Sequence, residues 1–95
     1  MERFESLSKT LTGDETIELG QVAESLNVIL TGVAGTHTFN YWHTGSQAWV
    51  LLKSYSSTTH ETIDNISGRK IQYVAAGTAT GTVVDVQAIS AVRNA

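Results

Sequence analysis

From Gly32 to Ala88 the chain is a succession of short stretches that alternate apolar and polar side chains, each closed by Gly, Ser or Thr. They read Gly32-x-x-Gly35-Thr-x-Thr-Phe39, Gly45-x-x-x-Trp49-x-x-Leu52, Arg69-Lys-Ile-Gln-Tyr-Val74 and Thr80-Gly-Thr-Val-Val-Asp-Val-Gln87. A period of two sends successive side chains to opposite faces of an extended backbone, whereas an amphipathic helix needs a period near 3.6. The pattern therefore predicts strands joined by tight turns, and no helix longer than two turns.

Composition bounds what such strands can build. At 95 residues and 10.2 kDa the chain has room for one core. Hydrophobic residues at 41% against 16% charged are enough to fill it. Ser and Thr together supply nearly a quarter of the sequence, while Pro and Cys are absent. A disulfide framework and a thiolate zinc site are thereby excluded, so the fold relies on packing and on any partner it has. A net charge of −3 with one adjacent basic pair, Arg69-Lys70, argues against nucleic acid as partner. The start Met1-Glu2-Arg3-Phe4 lacks an apolar signal region, and no run reaches the ~18 apolar residues of a membrane helix. We expect a soluble chain without a visible export signal and without a membrane partner.

Along the chain, residues 3–12 are polar with Phe4, Leu7 and Leu11 scattered through them, which reads as an arm or edge strand closed by Gly13-Asp14. Thr16 to Leu19 alternates briefly, and Ser25 to Thr31 sets Leu26, Val28 and Leu30 against Asn27 and Ile29. Thr36 to Thr44 places His37, Phe39, Tyr41 and His43 on one face and Thr38, Asn40, Trp42 and Thr44 on the other. Gln47 to Tyr55 is a nearly continuous apolar run, which suggests a central strand covered on both faces. Strands over 58–64, 69–76 and 82–89 complete the series, the last with Val84, Val86 and Ala88 inward.

Seven or eight strands about 8–12 residues apart predict an all-β, antiparallel β-sandwich, jelly-roll or immunoglobulin-like. Residues 1–20 are expected as an N-terminal arm or edge segment and 21–95 as the sandwich domain. The expected core is Leu26, Val28, Leu30, Phe39, Trp49, Leu52, Ile71, Val84 and Val86.

Residues 26–88 resemble the small β-sandwich modules of tailed-bacteriophage virions. The positions that carry the likeness are Gly32, Gly35, Thr36, Thr38, Phe39, Gly45, Trp49, Leu52, Tyr73, Val74, Thr80, Gly81, Thr82, Val83 and Val86. The resemblance implies a non-enzymatic virion structural protein, most simply a capsid decoration (cement) protein. Such a protein binds the major capsid protein as a homo-oligomer, with a trimer favoured, and stabilises the head. Its place is the virion, assembled in the host cytoplasm. The alternative is a head or tail fibre module, or a tail appendage, that binds carbohydrate or a host receptor through exposed aromatics.

No constellation of reactive residues competes with that reading. His37 and His43 lie on one strand face but roughly 20 Å apart by strand rise, too far to share a metal. Glu61, Asp64 and Asp85 fall at turn or outward positions, and no serine sits in a nucleophile elbow. We expect no catalytic residue, no metal and no cofactor. Partner contact is expected at Phe4, Leu7 and Leu11, by strand addition of the arm, and at Tyr41, Trp42 and His43. Trp49, embedded in Ala-Trp-Val-Leu-Leu, is expected in the core.

Overall fold

The computed structural model describes residues 6–22, 24–66 and 68–89. Among them are eight strands: β1 (Ser6–Thr10), β2 (Glu15–Gln21), β3 (Ser25–Thr31), β4 (Thr36–His43), β5 (Ala48–Tyr55), β6 (Thr59–Ile63), β7 (Lys70–Ala76) and β8 (Val83–Ile89). They form two four-stranded antiparallel sheets with the orders β1-β8-β3-β6 and β2-β7-β4-β5. The sheets pack as a sandwich, and no helix occurs among the described residues.

The strand pairs are nested: β1 with β8, β2 with β7, β3 with β6, β4 with β5. A chain folded back on itself once and then rolled produces this nesting, which is jelly-roll and not immunoglobulin order. The β4–β5 hairpin is the fold-back point. Its turn is held by the Gln47 N–H donating to the Thr44 carbonyl at 3.3 Å, with Gln47 at φ 52°.

Between the sheets, alternate residues of each strand meet. Leu26, Val28 and Leu30 of β3, Val84 and Val86 of β8, Phe39 of β4 and Ile71 and Tyr73 of β7 are all buried. Burial of each large side chain contributes about 1.5–3 kcal/mol. Connections also feed the core: Leu11, Val22, Ile66 and Ala79 lie outside the strands yet are buried. Leu11 is held there because its N–H donates to the Thr82 carbonyl and its carbonyl accepts from Gly81 N–H, both at 2.8 Å.

The core carries a polar pair. His37 is 0% exposed, with Nε2 donating to the Ala34 carbonyl at 2.9 Å and Nδ1 2.7 Å from the Tyr73 hydroxyl. A carbonyl only accepts, so Nε2 carries the proton and Nδ1 accepts from Tyr73. Phe39 stacks on Tyr73 at 5.1 Å and meets Tyr55 edge-on at 6.2 Å, extending the pair into an aromatic row through the core.

Two expectations need correction. The Gln47–Tyr55 run is not a central strand: β5 has β4 on one side and no strand on the other among the described residues. Trp49 consequently lies outside the core, half-buried on the outer face of its sheet. The register shift between Phe39 and Asn40 explains how the run splits, because β5 there opposes one residue more than β4 supplies. Leu52 turns inward at that bulge and packs against the core, while Leu51 turns outward.

Candidate binding surface

The two outer sheet faces differ in chemistry. Across β1-β8-β3-β6 the register aligns Ser6, Gln87, Asn27 and Thr62 in one row and Ser8, Asp85, Ile29 and His60 in the next. Apart from Ile29 these are small or polar groups, and the flanking rows add exposed Val83 and Ile89. Across β2-β7-β4-β5 the equivalent rows are Gln21, Lys70, Trp42 and Trp49, then Glu18, Gln72, Asn40 and Leu51. This second face holds both tryptophans of the chain.

Trp42 and Trp49 sit directly opposite on β4 and β5, with ring centroids 5.3 Å apart and planes at 71°. The edge-to-face geometry suits the ring quadrupoles. Lys70 Nζ lies 5.6 Å from the Trp42 centroid on the other side. Next to this group, Asn40 Nδ2 donates to Gln72 Oε1 at 2.9 Å. Beyond Lys70 the face sinks into a shallow, open depression of about 270 Å3 lined by Glu18, Gly20, Gln21 and Lys70. The depression follows from a bulge in β2, where the pairing skips from Glu18 to Gly20. Gly20, one of the lining residues, takes φ 83°, which its lack of a Cβ permits.

Of the residues expected to contact a partner, Phe4 lies outside the described residues. Leu7 sits in β1, paired with Val86 and packed against the core, and Leu11 is 1% exposed within it. Residues 6–10 are thus already paired as an edge strand of this chain's own sheet. Tyr41, Trp42 and His43 do not form one surface. Tyr41 points toward the core side, where it is half-buried beneath the Arg69 guanidinium at 4.6 Å and meets the His43 ring edge-on. His43 is exposed but engaged by its own turn, its Nδ1 accepting from Ser46 Oγ at 2.8 Å and Ser46 N–H at 3.1 Å. Trp42 alone of the three joins the outer face.

Three features of this surface escaped the sequence reading: exposed Leu51, outward Trp49 and the depression. Each left a signal. Lys53 inside an apolar run marks an edge strand, and Gly20 inside an alternating one marks a bulge.

Among the described residues no group of three or more His, Cys, Asp or Glu side chains converges in a metal-binding arrangement. The phenols of Tyr55 and Tyr73 are held well above the usual tyrosine range. For Tyr55 the cause is burial first, then its hydrogen bond to Glu61 and that carboxylate's charge; for Tyr73 it is burial, then the charge of Glu15. Both are therefore neutral packing groups at physiological pH. No protein-family model matches the sequence, and neither the curated proteins nor the solved structures include a significant match.

Proposed function

We propose that this chain is a non-enzymatic structural protein of a tailed-phage virion, a capsid decoration protein that docks on the major capsid protein by adding its β5 edge to a neighbouring sheet. The observation that carries the reading is the character of that edge. Leu51 on β5 is 60% exposed, the most exposed large hydrophobic residue among those described. The other sheet edges are guarded: β1 and β6 are five residues long and carry Lys9 or His60 and Glu61, and β2 is bulged and bears Glu15 and Glu18, whereas the bulge and Lys53 of β5 fall in its second half. On β5 the segment Ala48–Leu51 is uncharged and precedes the bulge, so its backbone is open to an incoming strand. The resemblance of residues 26–88 to phage sandwich modules supports the same reading. Jelly-roll order, which recurs in capsid proteins, adds support by analogy of fold alone.

Co-sedimentation with purified heads of the parent phage tests it. The wild-type chain should pellet with heads, and Leu51→Lys should lose at least tenfold in occupancy while remaining folded. A wild-type chain that stays in the supernatant overturns the decoration reading. Equal occupancy by the variant overturns the β5 edge as the docking element.

A further inference from the structure

We propose that the outer face of the β2-β7-β4-β5 sheet is a binding site for an uncharged saccharide, with Glu18, Gln21 and Lys70 taking the hydroxyls of one sugar and the Trp42–Trp49 pair stacking the next. The site uses a face, not the β5 edge, and does not rest on the capsid reading.

The charge balance of the depression selects the ligand class. Glu18 accepts only, Lys70 donates only, and Gln21 does both, within one open hollow of about 270 Å3. An anion there meets the Glu18 carboxylate. An apolar ligand leaves Glu18 and Lys70 desolvated without partners, which is costly. A polyol, whose every hydroxyl both donates and accepts, satisfies all three side chains at once.

The aromatic pair supplies the second requirement. A sugar ring has an apolar C–H face, and a fixed aromatic surface beside polar groups is the usual composition of a site for such an amphipathic ligand. Trp42 and Trp49 hold each other at 5.3 Å and Lys70 lies over Trp42, so the pair is oriented before any ligand arrives. Between depression and tryptophans, the Asn40–Gln72 bond engages one amide N–H of Asn40 and the side-chain carbonyl oxygen of Gln72. The Asn40 carbonyl and the Gln72 amino group remain for further hydroxyls. The rows Gln21-Lys70-Trp42-Trp49 and Glu18-Gln72-Asn40-Leu51 cross all four strands, a span of about 14 Å at the usual strand spacing. That accommodates a short oligosaccharide lying across the strands. The opposite sheet's outer face has no tryptophan among the described residues.

The test is a glycan array with the full chain, followed by tryptophan-fluorescence titration with the neutral oligosaccharides that score and with polygalacturonate as the anionic control. We expect saturable binding of at least one neutral glycan, insensitive to added salt and accompanied by a shift in tryptophan emission. Trp49→Ala and Lys70→Ala should each weaken it at least tenfold, and His60→Ala, an exposed change on the other sheet, should leave it unchanged. Circular dichroism on each variant separates loss of the site from loss of the fold, and Glu18→Gln, an exposed change, repeats the test without touching the aromatic pair. An array silent toward neutral glycans overturns the proposal, as does binding confined to polygalacturonate and abolished by salt. Trp49→Ala losing head occupancy with the array silent assigns the face to protein contact instead and also overturns it.

Discussion

The Tyr73 hydroxyl reaches Nδ1 of His37 at 2.7 Å across adjacent strands, with the two rings nearly parallel at 11° and 6.0 Å between centroids. Both side chains are 0% exposed, and the second histidine nitrogen is bound to the Ala34 carbonyl. The pair therefore closes its own hydrogen bonds inside the core and ties β4, β7 and the connection before β4 together. Removing one member leaves the other without a partner, a larger effect than the bond's own net contribution.

Tyr73→Phe keeps the ring and deletes the donor. It should destabilise the fold by about 1–3 kcal/mol, because buried Nδ1 of His37 is left unsatisfied. Urea unfolding should show a lower midpoint with an unchanged slope. An unchanged midpoint would mean that water enters to replace the hydroxyl.

The same tyrosines set the alkaline limit of stability. An unfolded tyrosine ionises near pH 10, whereas Tyr55 and Tyr73 in the fold hold their protons to higher pH. Below pH 10 both states are protonated and stability is at its full value. Above it the unfolded chain releases protons that the folded chain retains, so stability falls as pH rises, by up to about 1.4 kcal/mol per pH unit for each tyrosine. Chemical unfolding between about pH 9 and pH 11 should record this fall, and Tyr55→Phe should make it shallower. A flat profile over that range contradicts the assignment.

Gly35 lies where the connection into β4 crosses the end of β7. A Cβ there would stand 2.2 Å from the Ala76 carbonyl oxygen, and the backbone is at φ 76°. Gly35→Ala combines backbone strain with overlap against main chain that has little freedom to retreat. We expect a loss of about 2–4 kcal/mol. Gly68→Ala, also at positive φ but with nothing within 4 Å of its Cβ, should cost clearly less. Thermal melts of the two variants side by side distinguish overlap from strain.

If the chain decorates capsids as a trimer, light scattering should give about three times 10.2 kDa. A concentration-independent mass of one chain removes the trimer from the proposal.

Much of the fold was legible because strand formation and facing are local. The alternation through Ser25–Thr31, Lys70–Ala76 and Val83–Ile89 follows from the two-residue repeat of the extended backbone, and Ile71, Tyr73, Val84 and Val86 are inward as the pattern required. Leu11, Ile66 and Ala79 were not legible as core, since each sits in a connection whose burial depends on contacts distant in sequence. Thr82 is similar: its hydroxyl accepts from Ala34 N–H, 48 residues away, at 2.9 Å.

The binding surface divides the same way. Periodicity alone puts Trp42 opposite Phe39 and Tyr41, but it leaves the position of β5 open, because Ala-Trp-Val-Leu-Leu is equally compatible with a strand covered on both faces and with an edge strand awaiting a partner. Where the strands run and which residues alternate follow from backbone sterics a few residues at a time, so both are written in the chain. That β5 is an edge, that a bulge turns Leu51 out and Leu52 in, and that Glu18 and Gln21 meet Lys70 beside the tryptophans are long-range outcomes of the fold. These depend on which strands become neighbours, and strand order is set by the packing of the whole chain.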